Sequence, residues 1–266
     1  MFRLGLIGYP LGHSFSADYF NSKFKKTGIP GEYDLYPIAD IENFITLIEK
    51  EKIIRGLNVT IPYKTSVIPY LDELSEDAAA IGAVNVVTVS RDEKDGENFH
   101  LKGYNTDWYG FMESLRPHVT PNMKKALILG TGGSSRAVAY ALRNLGIDYD
   151  CVTRSKATDN LNGSRYYTYG ELNDGIIKEH TLIVNTTPVG MFPDINARPA
   201  IPYEALTPGH LCFDLIYNPA RTAFINAAEQ AGAQVKNGLE MLHLQAEGTW
   251  TIIKRLLEQN PPKQDT

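Results

Sequence analysis

The chain has 266 residues, 43% of them hydrophobic and 21% charged, which suits one large globular domain or two modest ones. Its 26 Lys and Arg against 31 Asp and Glu leave a net charge of -5, which argues against nucleic-acid and anionic-membrane partners. Two cysteines, Cys151 and Cys212, both in apolar strand-like surroundings, exclude a disulfide framework and read as buried free thiols.

The elements then follow in chain order. Leu4 to Ile7 is a short apolar strand, and the apolar run that contains it is too short for a signal peptide. Residues 17–27 carry Tyr19, Phe20 and Phe24 at helical spacing. Tyr33 to Pro37 reads as a strand, Ile41 to Glu51 as a helix with Phe44, Ile45, Leu47 and Ile48 on one face, and Gly56 to Ile61 as a strand stopped by Pro62. A helix is expected over 70–81, ending at Gly82, and a β-branched strand over 84–90. A polar stretch, Arg91 to Asn98, precedes Gly103-Tyr104-Asn105-Thr106-Asp107 and a helix from Trp108 to Arg116.

A second αβ series begins at Lys125. Its strands are expected at 125–129, 149–153, 181–185 and 210–215, with helices at 137–145 and 221–231 and a short strand at Gln234-Val235. Residues 240–257 have a long helical pattern, and the last residues from Asn260 read as a frayed tail. Strands alternating with helices imply an α/β protein with mostly parallel sheets. No stretch approaches a membrane span, so a cytoplasmic protein is expected.

Three segments carry chemistry. Gly130-Thr131-Gly132-Gly133-Ser134-Ser135 lies between a strand and a helix, the arrangement in which backbone N–H groups meet a diphosphate. More than a hundred residues precede it, which points to an earlier domain holding whatever the cofactor acts on. The next strand ends in Thr153-Arg154-Ser155-Lys156. An Asp or Glu there would favour NAD, whereas a guanidinium binds a 2′-phosphate, so the tip reads as NADP-selective.

A dehydrogenase also needs a group that moves the hydroxyl proton: His, Lys or Tyr. The six histidines form no metal-spaced pair, so no metal is expected. Lys64 follows the strand broken by Pro62, at the carboxyl end where open αβ sheets place ligands, and Thr60 can face the same crevice. Asp107 could cap the helix that follows; Thr106 could serve equally, leaving Asp107 to orient the Lys64 ammonium.

With these residues in place, the chain resembles the shikimate/quinate dehydrogenase family over nearly its whole length. Gly8 to Ser16 resembles the family's GxPxxHSxS opening, Asn58 to Lys64 its NVTxPxK segment, and Gly82-Ala83-Val84-Asn85 its GAVN turn. Asn105-Thr106-Asp107, Gly130 to Ser134, Asn185 to Met191, Asp214 to Tyr217 and Asn237 to Gln245 resemble the remaining motifs, in family order. The departures are Ala17 for a usual proline, Tyr63 for a usual histidine, and Thr153 and Ser155 flanking Arg154 in the Asn-Arg-Thr clamp.

The resemblance implies a substrate-binding and catalytic domain over 1–102, a Rossmann-like NADP domain over 103–236, and a C-terminal helix over 237–266 packing back on the first domain, with the active-site cleft between the two domains. It implies NADPH-dependent reduction of 3-dehydroshikimate to shikimate, in aromatic amino-acid biosynthesis, by a monomer or homodimer. Lys64 and Asp107 would be catalytic. Ser14, Ser16, Thr60, Asn85, Asp107, Tyr217 and Gln245 would bind substrate. Gly130, Thr131, Gly132, Gly133, Ser134, Thr153, Arg154, Ser155, Leu215 and Gly238 would bind the cofactor. The alternatives are a quinate/shikimate dehydrogenase with relaxed substrate and cofactor choice, against which Arg154 speaks, and a non-catalytic ligand-sensing module, which would be expected to have lost Lys64 or Asp107.

Overall fold

The computed structural model describes residues 2–12, 14–92, 98–155 and 164–259. The expectations placed on His13, on Lys156, on most of the polar stretch after Asp92 and on the tail from Asn260 lie outside the described residues. The chain forms two compact units. One joins the described residues up to Thr106 with those from Ala246; the other runs from Asp107 to Gln245. The breaks thus fall inside the Asn105-Thr106-Asp107 motif and inside the last helix, rather than at 102 and 236.

The first unit contains β1 (Phe2–Gly8), α1 (Phe15–Thr27), β2 (Gly31–Pro37), α2 (Asn43–Lys50), β3 (Ile54–Val59), β4 (Glu73–Leu74), α3 (Glu76–Ile81), β5 (Val86–Arg91) and β6 (Phe99–Tyr104). The strands form one sheet in the order β2-β1-β3-β5-β6-β4. β1 pairs in parallel with β2 and β3, and β4 with β6, while β3–β5 and β5–β6 are antiparallel.

The helix expected over 70–81 begins late. Ile68–Tyr70 is a single 3-10 turn, Glu73–Leu74 joins the sheet, and the helix starts only after Ser75, whose hydroxyl accepts the Ala78 N–H at 3.3 Å. Asp72 secures the interruption by accepting the Leu101 N–H at 2.7 Å. Strand β6, absent from the expected elements, alternates buried Leu101 and Gly103 with the more exposed His100 and Lys102.

One sheet face packs Ile7, Phe44, Ile48, Leu57, Val87 and Leu101. The other packs Phe2, Phe20, Phe24, Trp250 and Ile253, with Phe24 edge-on to Phe2 and to Trp250 at 5.5 and 5.7 Å between ring centres. At Gly56 a Cβ would come within 2.3 Å of Ile253 Cδ1, the tip of a side chain from the last helix, which packs over β3 there.

The second unit contains α4 (Asp107–Leu115), β7 (Lys125–Leu129), α5 (Gly133–Asn144), β8 (Asp148–Thr153), β9 (Tyr166–Thr168), α6 (Asp174–Glu179), β10 (Leu182–Asn185), β11 (Leu211–Asp214), α7 (Ala223–Gln230) and β12 (Gln234–Lys236). The final helix, α8 (Leu239–Gln259), starts here and continues into the first unit. The sheet order is β12-β11-β10-β7-β8-β9, with every pairing parallel. In chain order within the unit this is the doubly wound 3-2-1-4-5-6 arrangement, with its switch point between β7 and β10.

Both cysteines are buried free thiols. Two histidines are structural. His210 Nδ1 accepts the Thr207 N–H at 3.0 Å, and its Nε2 meets the Ile177 carbonyl at 3.1 Å. His180, fully buried, lies 3.0 Å from Asp150. Burial would raise the Asp150 carboxyl, but Lys125 at 2.8 Å, the Arg165 N–H and His180 outweigh it and hold the carboxyl below its ordinary range. Among the described residues no group of three or more His, Cys, Asp or Glu is placed to hold a metal, and no helix is long and apolar enough to cross a membrane.

Candidate active site

In the first unit the candidate ligands gather where β1 and β3 end. Ser14 is the buried cap residue of α1, with no side-chain bond to the helix N–H groups, and Ser16 lies in its first turn. Thr60 follows β3 directly and donates its N–H to the Ile7 carbonyl at 3.0 Å, which ties it to β1. The chain then leaves the sheet at Pro62. Tyr63, where the family usually has histidine, turns inward instead. It is buried among the core residues and donates its hydroxyl to the Ile38 carbonyl at 2.7 Å, so its role is structural. Lys64 comes next, half-buried, and its carbonyl accepts the Val84 N–H at 2.7 Å. That bond ties Lys64 to the Gly82–Asn85 turn, 20 residues later in the chain.

Asn85 is only 4% exposed, and both ends of its amide are engaged. Its Oδ1 accepts the Thr106 N–H at 2.7 Å, and its Nδ2 donates to Thr106 Oγ1 at 3.0 Å. This pairing settles which amide atom is which. Three residues that sequence reasoning left without a role support this corner. Tyr33 donates to Asn58 Oδ1 at 2.9 Å, Asn58 donates to Thr249 Oγ1 at 3.4 Å, and Thr249 lies 3.2 Å from Thr106 Oγ1. Burial pushes the Tyr33 phenol up, and its hydrogen bond with Ser16 pulls it part of the way back. Asn58 alone sat in a quoted motif; Tyr33 and Thr249 carry no local signal, because what selects them is contact between distant segments.

In the second unit Asp107 begins α4 and is 5% exposed. Gln245, nearly buried, packs on the same helix through Gly110: a Cβ at Gly110 would lie 2.9 Å from Gln245 N and 2.7 Å from the Met241 carbonyl. The glycine loop follows β7 at the switch point. Gly130 has φ +110, and a Cβ there would meet Thr186 Oγ1 at 2.8 Å, so only glycine suits the turn. Gly132 caps α5 with extended backbone, and the place its Cβ would occupy has no atom within 4 Å. Ser135, which stands at the third glycine position of the fingerprint, returns its hydroxyl to the Gly132 carbonyl at 2.6 Å. Thr131 and Gly133 complete the loop, with Ser134 in the first turn of α5. Thr153 ends β8, and Arg154 and Ser155 are exposed beyond it.

The next strand ends are locked together. Asn185 donates to Asp214 Oδ1 at 3.0 Å and accepts the Thr187 hydroxyl at 2.6 Å. Asp214 also accepts the Ile216 N–H at 3.1 Å and the Thr222 hydroxyl at 2.6 Å. The Leu215 carbonyl lies against Gly238, where a Cβ would come within 2.0 Å of the oxygen. Tyr217 is half-buried, which raises its phenol.

Burial pushes the Asp214 carboxyl up to about 6, against an ordinary 3.8, although three donors pull the other way. The folded state therefore holds this proton more tightly than the unfolded state. Its contribution to stability is full below pH about 4 and is lost as pH rises through about 6, by up to about 3 kcal/mol. Urea unfolding of the wild type and of Asp214→Asn at pH 4 and pH 7 checks this. The wild type loses stability relative to the variant across that interval; a constant difference contradicts it.

A family model for the shikimate dehydrogenase substrate binding domain matches residues 6–87. The shikimate dehydrogenase (NADP(+)) of Syntrophomonas wolfei is 38% identical over 97% of this chain and 90% of its own length. Among solved structures, shikimate dehydrogenase 1 from Peptoclostridium difficile matches with a TM-score of 0.84 and 32% identity, covering 96% of this chain and 92% of that one. The shikimate 5-dehydrogenase of Thermus thermophilus, solved with NADP(H) and shikimate, matches with a TM-score of 0.79 and 30% identity over 96% of this chain and 94% of that one. Similarity at this level along nearly the whole chain, on a doubly wound unit joined to a matched substrate-binding unit, means that the chain belongs to the shikimate dehydrogenase family.

Proposed function

We infer that this protein is an NADP-dependent oxidoreductase that interconverts 3-dehydroshikimate and shikimate in aromatic amino-acid biosynthesis. The observation that carries the reading is the 38% identity to an NADP-dependent shikimate dehydrogenase over 97% of the chain. The residues present fit the dinucleotide. The space beside Gly132 leaves the N-terminus of α5 open to a diphosphate, and Arg154 stands exposed at the end of β8 for a 2′-phosphate.

When bound, NADP(H) supplies or accepts the hydride at its nicotinamide ring. Gly130, Thr131, Gly132, Gly133 and Ser134 hold the diphosphate; Thr153, Arg154 and Ser155 hold the adenosine phosphate; Leu215 and Gly238 border the nicotinamide. Ser14 and Ser16 bind the substrate carboxylate. Thr60, Asn85, Asp107 and Gln245 bind ring hydroxyls, and Tyr217 contacts the substrate. Lys64 Nζ gives a proton to the substrate oxygen on reduction and takes one on oxidation, and Asp107 fixes the orientation of the ammonium. In this reading every cofactor-binding residue lies in the second unit. The enzyme works in the cytoplasm as a monomer or homodimer.

Following absorbance at 340 nm with shikimate and NADP+ tests the activity, and no turnover overturns it. Quinate and NAD+ run alongside separate a strict enzyme from a relaxed one. Arg154→Ala tests the cofactor assignment. Losing a charge-assisted phosphate contact lowers kcat/KM for NADP+ by about 10–100-fold and leaves that for NAD+ nearly unchanged. Equal loss with both cofactors contradicts the role of Arg154.

A further inference from the structure

Five buried polar residues of the first unit, Tyr33, Asn58, Thr249, Thr106 and Asn85, form one continuous hydrogen-bonded chain. Tyr33 donates to Asn58 Oδ1 on β3 at 2.9 Å. Asn58 Nδ2 donates to Thr249 Oγ1 on α8 at 3.4 Å. Thr249 meets Thr106 Oγ1 at 3.2 Å, and Thr106 holds Asn85 through its N–H at 2.7 Å and its hydroxyl at 3.0 Å. Thr249 is 2% exposed on a helix that otherwise faces the sheet with Trp250 and Ile253. A hydroxyl at that depth has a use only if it is bonded. The chain ends on Asn85, which binds a ring hydroxyl of the substrate in the proposed function.

We propose that Thr249 is a positioning residue for substrate binding: together with Tyr33 and Asn58 it fixes the Thr106 hydroxyl that orients the amide of the hydroxyl-binding Asn85. The inference rests on the functional assignment of Asn85. Thr249 touches no substrate itself. It bonds both Asn58, which itself donates to the Asn85 carbonyl at 3.3 Å, and Thr106, which holds the Asn85 side chain, so removing its hydroxyl loosens the Asn85 amide while the backbone stays on the sheet. A polyol held by that amide responds to the loosening through affinity first. A shared network also makes the effects of its members depend on one another.

The test is steady-state kinetics of Thr249→Val, Thr249→Ser, Tyr33→Phe and the Thr249→Val/Tyr33→Phe double variant, with thermal unfolding as a check of folding. Thr249→Val, which keeps shape and removes the hydroxyl, raises KM for shikimate by about 5–20-fold, with kcat changed less and KM for NADP+ unchanged. Thr249→Ser restores KM to near the wild-type value. Tyr33→Phe raises the same KM, and the double variant shows less than the product of the two single effects. A folded Thr249→Val with wild-type KM, failure of Thr249→Ser to restore it, or single effects that multiply overturns the proposal. If Thr249→Val does not fold, Tyr33→Phe and Thr249→Ser decide: unchanged KM in Tyr33→Phe, or raised KM in Thr249→Ser, overturns it. A wild type that binds and turns over no shikimate overturns the functional reading and this inference with it; an active wild type with indifferent variants overturns this inference alone.

Discussion

Replacing Lys64 with alanine lowers kcat for shikimate oxidation by about 10²–10⁴-fold, the range that positioned proton transfer contributes. KM for NADP+ stays near the wild-type value, because the residues proposed to bind the cofactor lie on the second unit. The backbone around Lys64 supports this assignment. Pro62 takes the chain off the sheet, Tyr63 is bonded to the Ile38 carbonyl, and the Lys64 carbonyl is pinned by the Val84 N–H at 2.7 Å. The Lys64 backbone is thus held against the Gly82–Asn85 turn by a short, fixed segment. Shikimate binding to Lys64→Ala, measured by calorimetry, separates the proton-transfer role from binding: affinity falls far less than turnover. A kcat near the wild-type value contradicts the mechanism.

Two glycines of the second unit respond to the same substitution in opposite ways. Gly238→Ala would set a Cβ 2.0 Å from the Leu215 carbonyl oxygen and 2.6 Å from its carbon, both backbone atoms that no side-chain rotation can move. The strand end at Leu215 must shift, which lowers stability by about 3 kcal/mol and raises KM for NADP+. Gly132→Ala meets nothing within 4 Å and has an ordinary φ of -81°, so the apoenzyme keeps its unfolding midpoint. Its new methyl projects into the space assigned to the diphosphate, and NADP+ affinity drops about tenfold or more. Urea unfolding without cofactor and NADP+ titration of both variants check the pair. A destabilised Gly132→Ala, or one with unchanged affinity, removes the diphosphate from that space.

Much of the fold is legible along the chain because its signals are local. Strands β7, β10 and β11 are near-continuous apolar runs, as parallel strands buried on both faces must be. The glycine loop is legible for the same reason: a strand, a φ that excludes other residues at Gly130, and a helix start are neighbours in sequence. Where signals depend on partners, the local reading misses. Strand β6 is short, carries His100 and Lys102 at its outward positions, and is held as a strand by pairing with both β5 and β4. The helix over 70–81 is shortened because residues 73–74 pair with β6, a long-range gain that helical periodicity cannot register. Strand β9 and helix α6 are three and six residues long, too short to show a period.

The candidate site divides the same way. Lys64, Asp107, the glycine loop and Arg154 are marked by sequence alone, because each sits at a chain feature that chemistry requires nearby: a strand broken by proline, a helix start, a tight turn, a strand tip. The inward turn of Tyr63, the closeness of Gly238 to Leu215 and the bond from Thr249 to Asn58 were decided by tertiary structure. Asn58 and Thr249 are separated by 191 positions. Their hydroxyl–amide contact exists because Ala246, Trp250 and Ile253 pack α8 against Phe2, Leu4, Phe20 and Phe24, and packing of that kind leaves no trace in the spacing of residues along a chain.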